Sequence, residues 1–77
     1  MSSQVSLPES GGELLEIFKA AIQDERRAQR VYTLALGHCT DPSLRSVLQG
    51  LIDDEVRHEQ ILIERYDALA AGGPTAF

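Results

Sequence analysis

Cysteine occurs once, at Cys39, tryptophan not at all, and the aromatic residues are two Phe and two Tyr. A single thiol excludes a framework of internal disulfides. A basic excess is also missing. Seven Lys and Arg against twelve Asp and Glu leave a net charge of −5, the reverse of what a nucleic-acid binder shows. No apolar run approaches the roughly 18 residues of a membrane span, and the polar stretch Met1 to Gly12 has no signal-peptide core. The chain is therefore expected in the cytoplasm or inside a cytoplasmic compartment, with neither nucleic acid nor membrane as a partner. At 77 residues there is room for one small domain. Such a domain buries little surface, so self-association is expected.

What is present reads as two helices. Residues 1–11 form a polar, Ser-rich arm whose Ser10-Gly11-Gly12-Glu13 has the S-x-x-E form of a capping box. A first helix is expected over 12–36, with Gly37 as a natural stop. A turn over 37–41 follows. Asp41 then serves as N-cap and Pro42 as the first position of a second helix over 42–71. Gly72-Gly73-Pro74 ends it, and 73–77 form a tail. Gly50 costs this helix up to ~1 kcal/mol relative to Ala and leaves room for a close helix contact. So short a turn forces the helices antiparallel. The fold class is all-α, a helical hairpin that pairs with a second copy into a four-helix bundle.

Each helix carries an apolar seam broken by ionisable residues. In the second, a 4,3 spacing runs Leu44, Leu48, Leu51, Glu55, His58, Leu62, Arg65, Leu69. In the first it runs Leu14, Phe18, Ala21, Glu25, Ala28, Tyr32, Ala35. Such steps mark the buried face of a packed helix. Glu55 and His58, three apart, leave that face side by side. Unpaired buried carboxylates cost several kcal/mol and persist when paired or bound to metal. Register supports one site: Glu25 lies 12 residues before Gly37, while Glu55 and His58 lie 13 and 16 after Pro42. At about 1.5 Å per residue, all three stand roughly 18 to 24 Å from the turn.

Glu25, Glu55 and His58 are thus the candidate metal ligands and catalytic residues. Two hairpins related by a two-fold axis supply four Glu and two His. That is the donor set of a di-iron carboxylate bundle, in which two helices give a Glu and two give Glu-x-x-His. Carboxylates with imidazole suit iron, two per dimer, with Mn or Zn as substitutes. Tyr32, two turns beyond Glu25 on the same stripe, is placed beside the metal; the plainer alternative is a core tyrosine with a bonded hydroxyl. Asp54 is a candidate outer acceptor for the imidazole N–H.

Glu25-x-x-Ala28-x-x-x-Tyr32 followed by Glu55-x-x-His58, on a hairpin with Thr40-Asp41-Pro42 at its turn, resembles one half of a rubrerythrin or ferritin-like di-iron domain. The hairpin is most similar to the encapsulated ferritins, over about residues 13 to 70. The resemblance implies iron ligation by Glu25, Glu55 and His58 between two subunits and a ferroxidase activity serving iron storage or detoxification. It also implies a homodimer or higher homo-oligomer housed in an encapsulin shell, a protein nanocompartment. Asp24 fits the family's outer acids, whereas Arg27 and Val31 stand where an acid and an aromatic are usual.

Two other readings use the same residues. One is a rubrerythrin-like peroxidase, although no Cys-x-x-Cys pair is present to bind an electron-transfer iron. The other is a non-enzymatic dimerisation module whose polar core residues set register. Asp53, Asp54 and Glu59 are read as solvated face or as partners of Arg57, and His38 and Cys39 as exposed loop. Arg26, Arg27 and Arg30 are read as makers of weak surface ion pairs.

Overall fold

The computed structural model describes residues 12–72; the N-terminal arm with its Ser10 cap and the tail from 73 lie outside the described residues. Two helices pack against each other, α1 over Gly12–Gly37 and α2 over Pro42–Ala70, with no strand among the described residues. The hairpin is the expected one, and its helix ends fall within one residue of the sequence reading. Among the described residues no helix is long and apolar enough to cross a membrane.

The turn is held by side chains. Asp41 sits in an extended conformation before α2, and its carboxylate accepts the backbone N–H of Leu44 at 2.8 Å. Pro42 follows at the start of the helix, where its missing N–H is no loss. The end of α1 differs from expectation. Gly37 is its last residue, but Gly72 is the one glycine with positive φ among the described residues. No left-handed cap closes α1. Arg45 does so from α2, its Nη1 donating to the carbonyls of Leu36 and Cys39 at 2.8 Å each. The Leu36 carbonyl, in the last turn of α1, also accepts the Cys39 backbone N–H at 3.2 Å.

The contact face between the helices is turned slightly from the predicted seams. Ile22, 7% exposed, is the one buried side chain among the described residues. On α1 the half-buried line through it is Leu15, Gln29 and Leu36; on α2 the covered residues include Leu48, Ile52, Glu55, Glu59, Leu62, Ile63 and Tyr66. From the predicted α2 seam, Leu44, Leu51, His58 and Arg65 are exposed. That seam is therefore the edge of the hairpin's own interface rather than its centre. The physical reason is that a helix in a larger bundle has two neighbours, and a lone hairpin covers one side only.

Beyond that edge lies an uncovered apolar stripe. Ile17 and Val31 on α1, and Leu44, Val47, Leu51 and Ile61 on α2, are large hydrophobics left exposed. Val47, Leu51, Asp54, His58 and Ile61 follow one another at steps of four, three, four and three, so they share a face of α2. A Cβ at Gly50 would meet nothing within 4 Å. The expected close approach at Gly50 is thus absent from the α1–α2 contact.

Candidate metal centre

The register argument holds at the level of atoms. Glu25 of α1 and Glu55 and His58 of α2 each bring one ligand atom into a group within 4.8 Å of one another. The His58 Nδ1 lies 3.6 Å from Glu25 Oε1 and 3.7 Å from Glu55 Oε1. Both distances are too long for hydrogen bonds. They match the spacing of donors around a shared cation, since ligand atoms each about 2.1 Å from one ion stand roughly 3 to 4 Å apart.

The two carboxylates are the covered members. The side chains of Glu25 and Glu55 are 22% and 20% exposed, whereas His58 is 52% exposed and turned to the stripe side. Within a single hairpin, His58 forms the rim of the site. Glu25 Oε1 is shielded from solvent and has no hydrogen-bond partner. Its pKa is raised above the ordinary carboxylate value, chiefly by the Glu55 carboxyl beside it and then by burial; His58 pulls the other way. A pair of carboxylates that cannot comfortably ionise together is what a cation relieves.

The supporting residues divide. Tyr32 is half-buried on the same stripe of α1 as Glu25. Asp54 Oδ1 accepts from Arg57 Nη2 at 2.6 Å, the arginine pairing expected for it. Asp53 accepts from Gln49 at 3.1 Å. Arg27 pairs loosely with Asp24 at 3.3 Å, as an exposed ion pair. His38 is exposed and Cys39 half-buried in the turn.

Glu59 corrects the sequence reading. It is neither solvated face nor partner of Arg57. Its side chain, 17% exposed, accepts from Arg26 Nε at 2.7 Å and from Gln29 Nε2 at 2.6 Å. Those two bonds, Gln29 first, hold its pKa below the ordinary value against the effect of burial. Arg26 makes the expected surface ion pair, its side chain 44% exposed, but makes it across to α2. The missed signal was of the same kind as the one used. Gln29 interrupts the heptad line Leu15, Ile22, Leu36, and Glu59 interrupts Ile52 and Tyr66.

Comparison with known proteins leaves the geometry to stand alone: no family model, no curated protein and no solved structure matches the chain.

Proposed function

We propose that this protein is a ferritin-like ferroxidase, in which two hairpins pair through their exposed stripes and oxidise Fe(II) at a di-iron centre built from Glu25, Glu55 and His58 of each. The observation that carries the reading is the triad itself. Two helices bring two carboxylates and an imidazole to cation-sharing distances, and one carboxylate oxygen is buried without a partner.

The donor set fits iron as substrate. Hard carboxylate oxygens and one borderline nitrogen accept Fe(II), and the additional negative charge favours the ion further once it is Fe(III). Two Fe(II) give up one electron each, and dioxygen takes both with two protons from water and leaves as hydrogen peroxide, so the chemistry needs two ions held together. One hairpin offers three donors, and pairing offers six. The stripe of Val47, Leu51 and Ile61 flanks His58 on the face that a second copy would cover, and symmetric pairing is the commonest assembly. Covering that face would also shield His58.

The dimerisation-only alternative fits less well. A register device needs satisfied, directional bonds, and Glu25 Oε1 has none. The directional cross-helix bonds belong to Glu59. The test is aerobic Fe(II) oxidation followed at 310 nm for wild type and Glu55→Ala, with helicity checked by circular dichroism. Loss of protein-dependent oxidation in a folded variant supports the proposal; an unchanged rate refutes it.

A further inference from the structure

The bonds that tie α1 to α2 at the height of the site are not those of the triad. Arg26 Nε and Gln29 Nε2 hold the two oxygens of Glu59 from one turn of α1. Arg26 follows Glu25 in the chain and Glu59 follows His58, so the cluster stands beside the triad and at its level. Each Glu59 oxygen accepts one of these bonds, and Glu59 stands outside the Glu25–Glu55–His58 group. Around Arg26 the groove has Ile22, Ile63 and Tyr66 between the helices and Glu16, Lys19 and Gln23 at its edge. Such apolar contacts are non-directional. They resist separation of the helices far better than sliding or rolling.

A metal triad tolerates neither movement. A slip of one residue moves a side chain about 1.5 Å along the axis and turns it by roughly 100°, whereas metal–ligand distances hold to about 0.2 Å. Asp41 and Arg45 pin the hairpin only at its turn, roughly 20 Å from the site. A polar contact within an apolar interface is the best-attested way to fix register.

We infer that the Arg26–Glu59–Gln29 cluster is a positioning device that sets the register and roll of α1 against α2, and so keeps Glu25 opposite Glu55 and His58. The inference rests on the metal reading of the triad. Glu59, Arg26 and Gln29 are positioning residues; none of them belongs to the Glu25–Glu55–His58 group.

The test uses Glu59→Leu/Gln29→Leu and Glu59→Gln, titrated with Co(II), whose visible absorption reports coordination geometry. In parallel, nitroxides at Gln23 and Gln60 in a Cys39→Ser background give the interhelix distance distribution without metal. The double variant is expected to stay helical, because two leucines replace the half-buried Glu59–Gln29 hydrogen bond and the guanidinium of Arg26, whose side chain is 44% exposed, can turn to solvent. Its Co(II) affinity should fall at least tenfold, with a changed absorption band and a broadened distance distribution. Glu59→Gln, whose amide can still bond Gln29, should recover most of the affinity. Unchanged affinity and an unchanged distribution in the double variant overturn the inference. If the double variant loses its helicity, Gln29→Leu alone carries the test: several-fold weaker Co(II) binding supports the inference, and wild-type binding overturns it. If wild type takes up no Co(II), the metal reading fails by itself. The distance distributions then decide register, and equal widths overturn it.

Discussion

Glu25→Gln should make the metal-free hairpin more stable. The substitution keeps the size of the side chain and removes the charge. In wild type, Glu25 Oε1 is buried without a partner and faces a second carboxylate. Leaving a buried polar group unsatisfied costs roughly 1 to 3 kcal/mol, and more if charged. With the side chain 22% exposed, solvent offsets part of that, and a gain of about 1 kcal/mol is expected. For so small a domain this raises the melting midpoint by about 4–8 °C. The assay is thermal unfolding by circular dichroism in chelator, at fixed protein concentration. The pH dependence gives the sign. A raised carboxyl pKa means that the folded state holds the proton more firmly than the unfolded one. That contribution is complete below the ordinary carboxylate value and is lost as pH rises through the folded pKa. The advantage of Glu25→Gln should therefore be small at low pH and grow toward pH 7. Metal reverses the order, since free ion at one hundred times its Kd stabilises wild type by about 2.7 kcal/mol. A variant that is less stable than wild type in chelator, or a difference that does not vary with pH, refutes the reasoning.

Other perturbations separate the parts of the account. Arg45→Ala removes two bonds that close α1 and should cost about 1 to 2 kcal/mol by urea unfolding, with Co(II) affinity changed less than threefold. Gly50→Ala meets open space within the hairpin and should stabilise α2 by up to ~1 kcal/mol in thermal melts. A fall in oligomer mass in the same variant would place Gly50 in the contact between copies. Val47→Glu/Ile61→Glu puts charge on the exposed stripe and should leave helicity intact while lowering the mass by light scattering. An undiminished mass would remove the stripe from the assembly. Acid should release bound metal, because protons compete for Glu25 at a pKa above the ordinary value. Co(II) affinity that stays flat between pH 7 and pH 5 would contradict this.

Much of the hairpin was legible because its punctuation is local. Asp41-Pro42 starts a helix by the same capping chemistry wherever it occurs, and 4,3 spacing fixes the helical period. The triad was legible because charge in a leucine seam is costly and because simple rise per residue put Glu25, Glu55 and His58 at one height. What the spacing did not fix was roll. Leu44, Leu48, Leu51 and Leu62 define a stripe, but periodicity alone does not say which neighbour covers which side of it. For that reason Glu59, one position further round the helix than His58, was read as solvated although α1 covers it. Arg45 escaped for a different reason. Its contact with α1 is made across the turn, and neither helix pattern contains it.

Anaerobic Fe(II) titration with mass measured by light scattering tests the central claim most directly. The account predicts one iron per chain bound in a dimer or larger assembly, with both the iron and the assembly lost in a still-helical His58→Ala. Iron held by monomers, or no iron bound at all, would contradict it.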